Sequence, residues 1–326
     1  MKKILFRADG NAEIGLGHFM RLVSILEMLK ADFTCFFAMQ NPEEFTSNIL
    51  KSYGATVIGL EKSIDYIAEA TYLKSLSEDF DMIVLDGYYF TEDYQKIIKE
   101  GDWKLTYIDD LHSFKIEADL IINHAVGVNV EHYEANDNVT FCLGTDYAML
   151  RKEFLESGKT VQSYNEQHKA FVCLGGSDPN DFTNQIIKDL IQVKSLFQIH
   201  VVVGKAYRFF DKLNAIKDDR LRILCGLSPQ EMVVEMRDST IGIVSSSNIA
   251  YEYASTGGMM FVVQTADNQK DIYEFLLSKG LAKKVSSINE SELSEELFIN
   301  QVKMQRKYFD GNSDKRIIQQ FKSILC

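Results

Sequence analysis

The chain repeats one local grammar: a short continuous apolar run, a small or acidic polar cluster, then a helical pattern. In the first half the apolar runs lie at 3–9, 33–39, 55–60, 81–86, 105–109 and 120–123. In the second half they lie at 170–174, 199–203, 221–224, 240–244 and 259–263. Short apolar runs without polar alternation read as strands covered on both faces. Such strands alternating with helices call for parallel, doubly wound sheets. A polar, strand-poor stretch, Glu156-Ser-Gly-Lys-Thr-Val-Gln-Ser-Tyr-Asn-Glu-Gln-His168, interrupts the pattern before it restarts. The expected organisation is therefore an α/β chain of two Rossmann-like domains: 1–152, a linker at 153–168, and 169–326. The stretch from about 290 to the end reads as helix. A length of 326 residues suits two domains.

Composition narrows the function classes. With 46% hydrophobic and 25% charged residues the chain is ordinary globular protein. A net charge of −12 disfavours a nucleic-acid partner, because the overall field repels phosphate backbones. A small anionic ligand held at a helix start is still compatible. No run approaches the roughly 18 apolar residues of a membrane span, and the first apolar stretch is too short for a signal-peptide core. A cytoplasmic location is the expectation. Cys35, Cys142, Cys173, Cys225 and Cys326 form no C-x-x-C pair, so free thiols are expected rather than a zinc site or a disulfide framework. No His/Asp/Glu set has metal-ligand spacing, and no cofactor is expected.

Four polar clusters carry the chemistry. The first, Arg7-Ala-Asp9-Gly-Asn-Ala-Glu-Ile-Gly15-Leu-Gly17-His18-Phe-Met-Arg21, joins the first strand to the first helix. Ligands of open α/β sheets collect at the carboxyl ends of strands, where this loop falls. Gly15 and Gly17 let backbone approach a ligand, but no third glycine completes a dinucleotide fingerprint. His18 falls in the first helical turn. The positive end of a helix favours a neutral imidazole able to accept a proton, while a bound diphosphate would pull the other way. The second cluster, Gly175-Gly176-Ser177-Asp178-Pro179-Asn180, opens the second half in the same manner. It reads as a phosphate cradle and, equally, as a turn with Asp178 as N-cap and Pro179 at the first helical position. The third, Ser245-Ser246-Ser247-Asn248-Ile249, offers amides and a helix dipole to an anion, and Glu252 lies one turn further on, where a carboxylate can take vicinal hydroxyls. The fourth, Gln264-Thr-Ala-Asp267-Asn268-Gln269, offers side-chain amides that both donate and accept. The third and fourth also read as helix caps. Asp86-Gly-Tyr88-Tyr89 and Asp109-Asp110 are lesser candidates at strand ends, with a surface turn as the alternative.

In this order the elements Arg-Ala-Asp, Ile-Gly-Leu-Gly-His-x-x-Arg, Leu-Gly-Gly-Ser-Asp-Pro, Tyr-Glu and Asp-Asn-Gln resemble a known family. Gly144-x-Asp-Tyr-Ala-Met-Leu-Arg-Lys-Glu-Phe154 adds to the match, which runs from about residue 3 to 279. The family is that of the UDP-2,4-diacetamido-2,4,6-trideoxy-β-L-altropyranose hydrolase of pseudaminic acid biosynthesis, with spore-coat polysaccharide proteins and GT-B glycosyltransferases as relatives. The resemblance implies a GT-B fold with parallel sheets facing a central cleft. It implies metal-free hydrolysis at the anomeric carbon, releasing UDP and free sugar. By position, it makes His18, Tyr88 and Asn268 the catalytic set. It places Asp9, Gly15, Gly17, Arg21, Gly176, Ser177, Ser247, Asn248, Ile249, Glu252 and Gln269 in the substrate site, with Glu252 on the ribose. The expected partner is a small UDP-sugar. Two other readings stay open: a GT-B glycosyltransferase with the same donor site, and a non-catalytic nucleotide-sugar binding protein.

Overall fold

The apolar runs become strands because their side chains are covered on both faces, and every strand pairing is parallel. The computed structural model describes residues 1–11, 15–76, 79–160, 162–176 and 178–325. The chain divides into two units, Met1–Lys152 with Asn312–Cys326, and Glu153–Gly311.

The first unit holds β1 (Lys3–Arg7), β2 (Thr34–Gln40), β3 (Thr56–Leu60), β4 (Met82–Asp86), β5 (Lys104–Ile108), β6 (Leu120–Asn123) and β7 (Thr140–Leu143). Their order across the sheet is β3-β2-β1-β4-β5-β6-β7. The flanking helices are α1 (Gly17–Leu29), α2 (Glu44–Ser52), α3 (Tyr66–Leu76) and α4 (Glu92–Ile98). All five residues of β4 are buried, as a central strand requires. In α1, Phe19, Leu22, Val23, Leu26 and Leu29 line the buried face, the spacing of an amphipathic helix laid on a sheet.

The second unit begins with α5 (Lys152–Gly158) and carries β8 (His168–Cys173), β9 (Leu196–Val203), β10 (Leu221–Cys225), β11 (Ile241–Ser245), β12 (Met259–Val263) and β13 (Lys283–Lys284). The order is β10-β9-β8-β11-β12-β13. Its helices are α6 (Phe182–Leu190), α7 (Phe210–Asn214), α8 (Pro229–Arg237), α9 (Asn248–Thr256), α10 (Lys270–Ser278) and α11 (Glu295–Tyr308). Ser228 caps α8 through a reciprocal box with Glu231, Pro229 standing at the first helical position.

Both sheets reverse their winding direction once, at β1/β4 in the first unit and at β8/β11 in the second. A crevice opens outside the carboxyl ends of strands at such a switch point. The first three clusters and Asp86-Gly-Tyr88-Tyr89 follow these four strands, while Gln264–Gln269 follows β12 and Asp109-Asp110 follows β5.

Three expectations are corrected. The tail is two helices, α11 and α12 (Ser313–Leu325), separated at Gly311, whose φ of +72° breaks the helix. The domain reading 169–326 fails for α12, which belongs to the first unit. There Ile317 and Phe321, one turn apart, are buried, and Ser313 Oγ donates to the Ala148 carbonyl at 2.7 Å. The proposed linker 153–168 is structured at both ends, because α5 buries Phe154 and Leu155 and β8 starts at His168. Strands β7 and β13 were not anticipated; β7 buries one of its four residues and β13 is two lysines, so neither leaves an apolar run. Cys35, Cys142 and Cys173 are buried and outside any disulfide, Cys225 is exposed, and Cys326 lies outside the described residues. Among the described residues no helix is long and apolar enough to cross a membrane.

Candidate active site

The site of the first unit is built on a buried arginine. Arg7, the last residue of β1, is fully buried and makes paired hydrogen bonds to Asp9 (2.6 and 2.8 Å) and to Glu69 (2.9 and 2.9 Å). Burial alone would lower its pKa, but the two carboxylates outweigh that and hold it cationic. Glu69 also accepts from the Gln40 amide and from the Tyr94 hydroxyl, and Asp9 accepts from the Gln40 backbone N–H at 2.8 Å. Asp9 is therefore a fixed carboxylate, ion-paired from behind.

His18 enters from α1. Gly15 has φ +82°, which favours glycine, and exchanges two backbone hydrogen bonds with Asn11. Leu16 is the N-cap and its side chain makes no capping bond to the first-turn amides of α1. His18 Nδ1 lies 2.7 Å from Asp86 Oδ1 and 3.2 Å from Arg21 Nη2. A carboxylate only accepts and a guanidinium only donates, so the two contacts demand opposite tautomers. The shorter one decides: Nδ1–H donates to Asp86. Arg21 Nη2 is already directed at Asp86 Oδ1 (2.6 Å) and Asp110 Oδ2 (3.0 Å). Neutral His18 then keeps Nε2 as a bare proton acceptor. The cluster of Arg21, Asp86 and Asp110 carries one net negative charge, which an imidazolium would neutralise.

Tyr88 meets His18 edge to face, ring centroids 4.6 Å apart, and its hydroxyl points toward Asp110 at 3.4 Å. Burial, then the Asp110 charge, push its pKa up, so Tyr88 is a proton donor at neutral pH. For Asp110 burial pushes upward, but the charge and hydrogen bonds of Arg21 prevail and hold it below the usual carboxylate range. Asp9, His18, Asp86, Gly87, Tyr88, Tyr89 and Phe90 line a hollow of about 180 Å³ at the β1/β4 switch. A larger hollow of about 920 Å³, between Lys2, Asp81, Trp103 and Leu325, opens at the amino ends of the strands and gathers no comparable cluster.

Behind the site, buried His124 accepts from the Met149 N–H at 3.2 Å. Desolvation first, then Arg21, bring its pKa down to about 4. The folded value lies below the unfolded one, so the stability involved is fully present above about pH 6.5 and is lost as pH falls toward 4. A gap of this size corresponds to about 3 kcal/mol. His124→Asn, which keeps an acceptor for Met149, is expected to flatten the acid slope by that order. Urea midpoints at about pH 7 and pH 4 check it, and parallel losses in both proteins would remove His124 as the cause.

The second unit gathers three of the four clusters. Gly175, Gly176, Asp178, Ser245, Ser247, Thr265 and Gln269 line a hollow of about 520 Å³ at the β8/β11 switch. Close backbone approach fixes its wall: a Cβ at Gly204 would lie 2.3 Å from the Gly176 carbonyl oxygen. The amides of Asn248 and Ile249 belong to the first turn of α9, whose N–H groups have no preceding turn to bond. Ser247 is the N-cap residue of this helix, but its side chain makes no capping bond; its hydroxyl lies 3.0 Å from that of Ser245. An anion at this helix start is favoured by dipole and donors alike.

Several expectations change here. Helix α6 starts at Phe182, not at Pro179, and Asp178 bonds the amides of Phe182 (3.1 Å) and Thr183 (2.7 Å) from outside the helix. That carboxylate occupies the α6 start, so the phosphate cradle expected there is filled. Arg21 is a buried strut between Asp86 and Asp110 rather than a ligand-facing cation. Asp109 likewise is structural: it accepts from the Leu111 and His112 amides, from Tyr133 and from Asn123. Gly15 and Gly17 are exposed at the α1 start. Asn268 is exposed in a 3-10 turn and is not among the residues lining the hollow, whereas its neighbour Gln269 lines it while bonding the Thr265 amide. Ile249 is buried, and Glu252 is half-buried one turn into α9, outside the lining. Ser177 lies outside the described residues. Glu69 and Gln40 escaped sequence reasoning, because one sits inside a helix and the other ends a strand without a motif.

Two doubly wound units with clusters at both switch points define a protein of the GT-B fold. MurG of Acinetobacter baumannii superposes with a TM-score of 0.66 at 13% identity, covering 99% of this chain and 100% of that one. The calicheamicin glycosyltransferase CalG4 gives 0.68 at 12%, covering 100% and 98%. No family model matches the chain. Its sequence is related over most of its length to the proteins that its motifs resemble. The UDP-2,4-diacetamido-2,4,6-trideoxy-β-L-altropyranose hydrolase of Campylobacter jejuni is 25% identical over 285 residues, 85% of this chain and 97% of that enzyme. The spore coat polysaccharide biosynthesis protein SpsG of Bacillus subtilis is 22% identical over 289 residues, 84% and 81%. An uncharacterized protein of Methanocaldococcus jannaschii is 26% identical over 311 residues; these make up 91% of this chain, but it spans only 62% of that relative.

Proposed function

We propose that this chain is a UDP-sugar enzyme of polysaccharide biosynthesis, and that it hydrolyses a UDP-linked diacetamido-trideoxy sugar to UDP and the free sugar for pseudaminic-type acid synthesis. The observation that carries the reading is His18, oriented by Asp86 with Nε2 bare beside a hollow at the β1/β4 switch. The Campylobacter relative supports the choice of reaction.

In this reading His18 Nε2 takes a proton from water while the water oxygen bonds to the anomeric carbon. The bond from that carbon to the diphosphate oxygen breaks, and its electron pair leaves with UDP. The growing imidazolium is matched by the negative charge of the Asp86–Arg21–Asp110 cluster. Tyr88 donates to the sugar. In the second unit the α9 amides of Asn248 and Ile249, with Ser247, hold the diphosphate. Glu252 takes the ribose hydroxyls, and Asn268 and Gln269 meet the sugar. Gly15 and Gly17 let the α1 start approach the phosphate side.

The test is UDP release from a panel of UDP-sugars with no acceptor present. Release from an acetamido-bearing donor is the expected result. Release only when an alcohol acceptor is added would make the chain a transferase, and binding without release would make it a binding protein.

A further inference from the structure

A second hollow, of about 350 Å³, adjoins the His18 hollow and shares Asp9 and Tyr89 with it. It lies at the carboxyl ends of β1, β2 and β3, and its wall includes Glu43, Lys62, Ser63 and Tyr66. We propose that it is the pocket that reads the substituents of the sugar ring, taking a neutral hydroxyl or acetamido group; this rests on the reading of the protein as a UDP-sugar enzyme.

Size is the first argument. Small-molecule sites run to about 300–1,000 Å³, so the His18 hollow alone falls short and the joined pair comes within range. The polar groups are the second. Asp9 is held by Arg7 and the Gln40 amide, so its orientation is set before any ligand arrives, and it retains accepting capacity toward the hollow. Tyr66 stacks flat on Tyr89, centroids 4.6 Å apart with planes within 2°. Burial, then the Asp9 charge, push the Tyr66 pKa up to about 12, which keeps its hydroxyl a donor. Fixed acceptor, tyrosine donors and an aromatic wall suit an amide or hydroxyl group with an apolar side. Charge is the third argument. Among the described residues the lining carries Asp9 and Glu43 against Lys62, and Arg7 behind the wall is already shared by two carboxylates, so the described charges leave no positive excess for a phosphate. Gln40, though it lines the hollow, has both ends of its amide engaged, by Glu69 and by the Ser63 N–H. It therefore shapes the pocket without reading the ligand.

Ser63→Trp fills the hollow from a half-exposed position, and Tyr66→Phe removes one hydroxyl. With the acetamido-bearing UDP-sugar, Ser63→Trp is expected to raise KM at least about tenfold, with kcat within about threefold and the inhibition constant of UDP unchanged. Tyr66→Phe is expected to raise KM by about fivefold and to narrow the preference for acetamido over hydroxyl sugars. Unchanged KM and preference in both variants overturns the pocket, as does an equal loss for every sugar. Saturation-transfer NMR with free N-acetylhexosamine tests the pocket without turnover. Signal in the parent and none in Ser63→Trp supports the pocket even if no UDP-sugar is cleaved, in which case only the hydrolase reading falls. No signal in the parent overturns the pocket.

Discussion

His18→Asn is expected to lower kcat by roughly two orders of magnitude or more and to leave KM within a few-fold. Water is a poor nucleophile, and a positioned base contributes about 10²–10⁴ in rate. Asparagine is the informative replacement. Its side-chain N–H can still donate to Asp86, so the Arg21–Asp86–Asp110 cluster stays satisfied while the proton-accepting nitrogen is gone. Steady-state kinetics on the UDP-sugar that the parent protein cleaves checks the split. A rise in KM at near-full kcat would make His18 a binding residue. The search for a base would then turn to Asp9, since Tyr88 holds its proton and Asp109 is enclosed by four donor groups.

The strand pattern was legible because parallel strands buried on both faces leave continuous apolar runs, as Met82 to Leu85 does in β4. The strand-end loops were legible for the same reason: a polar cluster after such a run has to be a carboxyl end, and His18, Tyr88, Gly176 and Ser247 all fall there. What pattern reading lacked is whatever is settled by the partner across space. The resemblance places Arg21 in the substrate site, and α1 shows only its own sequence; Asp86 and Asp110 arrive from the ends of β4 and β5 and enclose it. Asp178 looked like the residue just before a helix, yet it caps from four residues ahead of Phe182, across a left-handed Asp181. Helix α12 carries an ordinary amphipathic pattern, and nothing local tells which unit its Ile317 and Phe321 will meet. Glu69 sits in the first turn of α3, where a solvated carboxylate is the default reading, and only the burial of Arg7 at the end of β1 calls it inward.

Asp86→Asn is expected to cost about 10²–10⁴ in kcat, through the tautomer of His18 rather than through any contact with substrate. Arg21 donates to both Asp86 oxygens, at 2.7 and 2.6 Å. An asparagine has one oxygen, and a guanidinium cannot face an amide N–H, so Arg21 claims that oxygen. The NH₂ group then turns to His18 and donates to Nδ1. The imidazole responds by carrying its proton on Nε2, the atom that has to accept one. The change also removes the negative charge that would balance the imidazolium. Loss of fold is the competing explanation, because Asp86 is fully buried. Asp110→Asn separates the two: it removes the same unit of charge from the cluster but leaves the Asp86–His18 bond, and so the tautomer, in place, and a smaller kcat loss than that of Asp86→Asn is expected. The ring ¹⁵N shifts of His18 give the direct readout. They should report Nδ1–H in the parent and Nε2–H in Asp86→Asn, with UDP affinity kept. An unchanged tautomer alongside a fallen kcat would return Asp86 to a purely structural role.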